Sequence, residues 1–189
     1  MDIGWLLIPA LAAVAWLLRD RIRRRAVPEA LRPGQPLPEF SALNELGRNV
    51  SSNDLRGTPA VLLFVRGTWC PFCSRQVQDL TRYYRAINDS GAHLILVTPK
   101  PLDTTRRVAD FFDVQFEFWL DEGLAAARKM GLLLPSAVPA DYQEEYGEDS
   151  LWPTSLVVDA DGIIRYTALS RFIADRPNPE KLLRAVARL

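Results

Sequence analysis

Apolar positions along the chain fall into three patterns. Residues 3–18 (IGWLLIPALAAVAWLL) carry no charge, and as a helix they have no polar face. Val61–Val65 (VLLFV) and His93–Thr98 (HLILVT) are short continuous apolar runs bounded by Gly or Pro, the pattern of strands buried on both faces. Between them Val77, Leu80, Tyr84 and Ile87 recur at helical spacing, from Pro71 to a stop at Asn88–Gly91. Pro71 suits the first turn, where its missing N–H costs nothing.

Further on, Thr104–Phe112 reads as a helix, and the alternation of Val114, Phe116 and Phe118 reads as a strand. Asp121 caps a helix over Glu122–Met130 that Gly131 closes. Residues 132–150 are acidic and irregular, a surface insertion. Ser155–Val158 and Ile163–Thr167 flank an Asp-Ala-Asp-Gly turn at 159–162, a hairpin signal. Asn178-Pro179-Glu180 starts a last helix with Leu182, Leu183 and Val186 on its apolar face. Tyr83, Tyr84, Phe111 and Phe112 lie at helical spacings and read as core, and His93, which opens a strand, as structural. Strands joined by a helix and followed by a hairpin and a helix predict an α/β fold with a mixed central sheet flanked by helices.

Charge sharpens the reading of the N-terminus. Residues 19–25 (RDRIRRR) hold five arginines and one aspartate directly after the apolar run. Sixteen helical residues reach about 24 Å, against a hydrocarbon core of about 30 Å. Interfacial Trp5 and Trp16 and snorkelling arginines extend that reach. The expectation is one N-terminal transmembrane helix whose arginine side, and the domain after it, face the cytoplasm. A cleaved leader would carry its positive charge before the apolar run. Residues 1–25 thus form a membrane anchor with a basic flank, and 26–38, with four prolines, a linker or domain lead-in. Residues 39–189 form the domain. Equal totals of 23 basic and 23 acidic residues leave no whole-chain basic field for nucleic acid.

Candidate chemistry rests on the two cysteines, Cys70 and Cys73, in Cys-Pro-Phe-Cys between a buried strand and a helix start. Helix N-terminal amides favour a thiolate over a thiol. Cys70 is the expected nucleophile, and Cys73, one turn further in, the resolving thiol. A four-residue disulfide ring stabilises a fold little, and one histidine with two cysteines cannot complete a four-ligand metal cage. No metal and no prosthetic cofactor is expected: the Cys70–Cys73 disulfide is itself the redox group, recharged by an external thiol reductant. Trp69, immediately before the nucleophile, should line the site.

FVRGTWCPFC, preceded by LPEFSALNELGRNVSSNDLRGTPAVLLF and followed by LWPTSLVVDADGIIRY, resembles the thioredoxin-like superfamily over roughly residues 31–168. The resemblance is to the peroxiredoxin-like branch of the alkyl hydroperoxide reductase/thiol-specific antioxidant (AhpC/TSA) group. It implies a thioredoxin-like fold. It also implies a cis Trp152–Pro153 peptide beside the cysteines, with Thr154 next, exposing backbone to a substrate strand. The residues alone also allow an ordinary strand-edge proline.

The sequence departs from the family pattern at several positions. Peroxiredoxins place a threonine three residues before the reactive cysteine, where this chain has Gly67, with Thr68 one place later. They also place an arginine near the start of the strand where Pro153 stands. Arg66 either substitutes in polarising an oxidant or is a solvent-facing loop charge. Phe64 and Gln76 occupy positions where thioredoxins and cytochrome-maturation relatives have acids, so no proton-transfer acid is assigned, and Asp121 and Glu122 read as caps.

Three functions follow as expectations. The first is a membrane-anchored thiol–disulfide oxidoreductase acting on a protein or small-molecule disulfide and recharged by a thioredoxin or glutathione system. The second is a thiol peroxidase with Cys70 oxidised to a sulfenic acid. The third is a tethered, redox-sensitive binding domain without catalysis.

Overall fold

The computed structural model of the chain describes residues 13–14, 25–100, 107, 111, 117–172 and 174–189. The two short apolar runs become strands. β1 (Ser41–Asn44), β2 (Asn49–Ser51), β3 (Ala60–Phe64), β4 (His93–Thr98), β5 (Glu117–Leu120), β8 (Thr154–Val158) and β9 (Ile164–Leu169) build one sheet in the order β2-β1-β5-β4-β3-β8-β9. β3, β4 and β5 run parallel, whereas β1, β2, β8 and β9 pair antiparallel with their neighbours. The sheet is mixed, as the order of elements predicts. β6 (Leu133–Leu134) and β7 (Ser150–Leu151) form a separate two-stranded ribbon.

Alternate residues of β3 serve two cores. Leu62 and Phe64 face one, with Ile95, Val97, Trp119 and Leu156; Val61 and Leu63 face the other, with Leu94, Leu96, Phe118 and Val157. α1 (Pro71–Asp89) closes the second core with Cys73, Val77, Leu80 and Ile87, alongside α4 (Pro179–Val186). Asn178 caps α4, its side chain accepting from the Glu180 amide at 2.8 Å, with Pro179 in the first turn.

Asp121 caps at a distance. Its carboxylate accepts from the amides of Ala126 and Ala127 at 2.8 and 2.9 Å, so α2 is only Ala125–Lys129. Positive φ at Gly123 and Leu124 breaks the longer helix expected over 122–130 into a 3-10 turn and this short piece. Gly131 does close it: Leu132 N–H reaches Ala127 O and Gly131 N–H reaches Arg128 O.

Residues 26–38 dock on the domain rather than span a gap. Leu31 is fully buried, the amides of Gly34 and Leu37 donate to Ile164 O and Gly162 O, and Pro36 bridges Ile163. The helix read at Thr104–Phe112 falls almost wholly outside the described residues, as do Val114 and Phe116. Tyr83 and Tyr84 pack partly buried on the second core, but Phe111 is 79% exposed, because helical spacing alone does not say which face is covered. His93 lies at the surface, paired with Glu117. The expected membrane span, residues 3–18, also lies outside the described residues save 13 and 14. Among the described residues no helix is long and apolar enough to cross a membrane.

Candidate active site

The end of β3 delivers the chain into Arg66-Gly67-Thr68-Trp69, and Cys70 is the N-cap of α1 with Pro71 in its first turn. Cys70 O accepts from the amides of Cys73 and Ser74 at 3.0 and 3.2 Å, which fixes both cysteines on the first turn. The cysteines are unpaired thiols, 1% and 2% exposed.

Two arginines converge on them. Arg176, on the segment between β9 and α4, directs Nη2 at Cys73 Sγ (3.1 Å) and Cys70 Sγ (3.5 Å). Its Nη1 is tied back to Asp175 O at 2.7 Å and to Ser170 Oγ at 3.4 Å. Arg66 donates its amide to Cys73 Sγ at 3.5 Å. The loop-charge alternative for Arg66 is corrected, because its side chain is 1% exposed. Nε donates to Ser150 Oγ (3.1 Å), Nη2 donates to Ala137 O (2.7 Å), and the guanidinium carbon lies 4.3 Å from the Trp69 ring centroid. These partners all belong to the insertion or the cysteine loop, so the side chain is drawn inward.

The thiols are electrostatically unequal. The hydrogen bond from the Cys73 thiol, then the Cys73 amide and the charges of Arg176 and Arg66, pull Cys70 down to about 5 against its burial. The same bond and near-complete burial push Cys73 well above the ordinary thiol range. At neutral pH, one proton therefore sits on Cys73 while Cys70 is a thiolate.

This has a stability consequence of fixed sign. Cys70 is depressed in the folded state, so the unfolded chain binds the extra proton between about pH 5 and the ordinary thiol range. The contribution is complete above that range and is lost as pH falls towards 5. Melting temperatures of the reduced chain and of Cys70→Ser should diverge, with the native chain gaining, from pH 5 to pH 8. A gap that stays constant over that interval contradicts the assignment.

The insertion roofs this loop. Its ribbon and α3 (Gln143–Tyr146) bring Tyr146 OH to Thr68, accepting from the amide at 3.0 Å and pairing with the hydroxyl at 2.8 Å. Tyr142 stacks on Trp69 at 6.3 Å, and Tyr146 meets Trp69 edge-on at 6.4 Å. Gly67 has φ +112°, and a Cβ there would lie 2.3 Å from the Tyr146 ring. The departure from the family's threonine thus makes room for this tyrosine. Gly67→Ala should cost about 1–3 kcal/mol in backbone strain alone, read as a lower urea midpoint together with altered Trp69 fluorescence. Unchanged values would mean that the tyrosine does not constrain this loop.

Arg66, Thr68, Trp69, Cys70 and Cys73 are thus brought together, and Thr154, with Pro153 before it, lies across from Phe64 at the end of β3. The Trp152–Pro153 peptide is trans, correcting the cis peptide that the resemblance implies. β8 and β9 keep pairing past this point: Pro153 O accepts from the Ser170 amide at 2.9 Å, and the Trp152 amide donates to Leu132 O at 2.7 Å. Those groups are not available to a substrate strand. Pro153 is linked to the site through Ser170, which meets Arg176. Thr154 turns its hydroxyl back to Trp152 O at 2.9 Å. Gln76, one turn past Cys73, is 5% exposed and donates to Ser155 Oγ at 3.4 Å.

Sequence reasoning missed Arg176, Tyr142, Tyr146 and Ser150. Two tyrosines four apart on an otherwise acidic segment were the available signal for the roof. Arg176 offered none, being 106 residues from Cys70. No cluster of metal-ligating side chains is present among the described residues.

The AhpC/TSA family pattern matches residues 33–167. Peroxiredoxin Q from the chloroplast of Oryza sativa subsp. japonica is 24% identical over 159 residues, covering 84% of this chain and 66% of that protein. The thiol-disulfide oxidoreductase ResA of Halalkalibacterium halodurans is 27% identical over 119 residues, covering 62% and 65%. The chain thus spans just under two thirds of either relative. Among solved structures, peroxidoxin BcpB from Mycobacterium tuberculosis superposes with TM-score 0.70 at 15% identity, covering 84% of this chain and 98% of that one. That likeness establishes the thioredoxin-like fold.

Proposed function

The chain belongs to the AhpC/TSA family, and we propose that it is a thiol-dependent oxidoreductase that reduces a small oxidant, best a hydroperoxide, through a Cys70/Cys73 dithiol–disulfide cycle. The observation that carries this reading is the burial of both sulfurs, 1% and 2% exposed beneath the insertion. A peroxide needs far less room to reach such sulfurs than the loop of a protein disulfide does. This reverses the order of the two enzymatic expectations drawn from the sequence.

In the proposed cycle the Cys70 thiolate attacks the terminal oxygen of ROOH. The O–O bond breaks, leaving Cys70 as a sulfenic acid and RO⁻, which takes a proton to become ROH. Arg176, 3.5 Å from Cys70 Sγ, supplies positive charge where oxygen develops negative charge. Cys73 then loses its proton and attacks the Cys70 sulfur, closing the disulfide and releasing water. An external dithiol of thioredoxin type, or two glutathione-type thiols, returns two electrons and two protons.

A second reading, thiol–disulfide exchange with a larger partner, is favoured by one feature. An open groove of about 680 Å³ beside the motif is lined by Trp69, Pro71, Arg75, Arg82 and Tyr142, and Phe72 next to it is 40% exposed. The reductive half of the cycle requires such a landing place in any case.

The proposal also includes residues 3–18 as a single-pass anchor with the domain on the cytoplasmic side. It is supported by the uncharged run followed by five arginines.

The test counts thiols. One equivalent of hydrogen peroxide should consume both thiols of the reduced full chain and yield one intramolecular disulfide, and Cys70→Ser should keep its remaining thiol. Equal loss in the variant overturns the reading. Arg176→Met should raise the pH at which Cys70 becomes reactive and slow peroxide consumption about tenfold at pH 5–6, with a smaller effect at pH 9. Stopped-flow rates across pH give the answer, and an effect independent of pH would assign Arg176 to the fold alone.

A further inference from the structure

Lys100 follows β4 and stands between two prolines, yet it is 2% exposed, an unusual place for an ammonium. The Glu145 carboxylate contacts its Nζ, and the Tyr146 ring lies beneath it at 4.0 Å. Its backbone amide donates to Thr98 Oγ1 at 3.3 Å. Arg107 adds a positive charge nearby.

Lys100 also borders the same cavity as Cys73. This space, about 60 Å³, has otherwise mainly apolar walls that include Val65, Val77, Leu96 and Phe118. It is large enough for more than one water molecule. Cys70 does not line it.

We propose that Lys100 is the proton acceptor for Cys73, taking the thiol proton through this cavity as Cys73 attacks the oxidised Cys70. The inference rests on the dithiol cycle above and supplies the acid–base group that Phe64 and Gln76 do not. Its balance is simple. The neutral amine gains the Cys73 proton, the Cys73 sulfur forms the S–S bond, and the group leaving Cys70 departs with its electron pair. When that group is hydroxide, the Lys100 ammonium returns the proton and water leaves, so no net charge accumulates.

Two features of the groups suit the role. Cys73 holds its proton well above the ordinary range, so closure without a base is slow. Burial first, and the Arg107 charge second, bring Lys100 down to about 8, which leaves a neutral fraction near physiological pH. Glu145 is the anion that opposes this by holding the ammonium.

The experiment isolates closure from peroxide chemistry. Cys70 of the reduced full chain is loaded with an aryl disulfide (dithiobis-nitrobenzoate), which releases a first coloured thiolate, and release of the second reports the attack by Cys73. The closure rate should rise with pH around 8, and Glu145→Gln should move that rise to lower pH. Lys100→Arg keeps a positive charge for Glu145 and Tyr146 but holds its proton, and it should close at least tenfold more slowly without the rise near pH 8. Lys100→Met should do the same and regain rate with added methylamine. Lys100→Arg closing at the native rate with the native profile overturns the proposal. Slow Lys100→Met closure that methylamine leaves unchanged, with Lys100→Arg normal, also overturns it and assigns Lys100 to holding the insertion. If hydrogen peroxide fails to oxidise the native chain while these closure results hold, the peroxidase reading falls and the role of Lys100 stands.

Discussion

Cys73→Ser should take one equivalent of oxidant and stop. With Cys73 gone, the product on Cys70 has no neighbour to condense with, and steady-state turnover should fall by at least about a hundredfold. The loss comes from a missing covalent step rather than from binding. Intact-mass measurement after one equivalent of hydrogen peroxide should find a single oxygen on Cys70, or an adduct when a small thiol is present. The first step should itself change, because the Cys73 thiol is the foremost influence lowering Cys70. Its pH profile should therefore move upward. Undiminished turnover in this variant would remove Cys73 from the cycle.

The second large effect is on the fold. Phe64 is 1% exposed and packs against Phe40 with ring centroids 6.0 Å apart. Phe64→Ala should destabilise the domain by about 3–5 kcal/mol through lost transfer energy and a cavity. Phe64 faces the core opposite the one holding Cys70 and Cys73. Denaturant unfolding should therefore give a much lower midpoint, while the folded fraction keeps its peroxide rate. A fall in that rate at full folding would mean that this face of β3 couples to the sulfurs.

The contrast between these residues shows which parts of the protein were legible in its sequence. β3, the Cys-Pro-Phe-Cys turn and α1 are encoded locally. A run of apolar residues, a proline that fits a first turn and a helical repeat each act within a few positions. The hairpin of β8 and β9 and the cap of α4 were legible for the same reason. The roof and the second charge were not. Arg176 meets Cys70 only because β8 and β9 carry the chain back to the mouth of β3. The insertion looked like surface because its sequence is acidic. Its Tyr146 nevertheless takes the space that Gly67 leaves open, Tyr142 stacks on Trp69, and Arg66 is pulled inward to meet Ala137 and Ser150.

The trans peptide before Pro153 has a similar origin. The resemblance supplied a cis bond, whereas the pairing of Pro153 O with the Ser170 amide continues the β8–β9 ladder to the edge of the site. That pairing holds the segment carrying Ser170, Asp175 and Arg176 beside the cysteines. The family's placement of an arginine near the strand start is answered here from a different segment.

A small oxidant at buried sulfurs is the central claim, and one comparison tests it most directly. The reduced full chain is mixed in a stopped-flow instrument with hydrogen peroxide and, separately, with an oxidised peptide disulfide, and Trp69 fluorescence is followed. The account predicts a Cys70-dependent response to peroxide that is at least tenfold faster, concentration for concentration, than the response to the peptide. A peptide disulfide that reacts as fast as peroxide or faster, trapped as a mixed disulfide in Cys73→Ser, would contradict it and make disulfide exchange the primary activity.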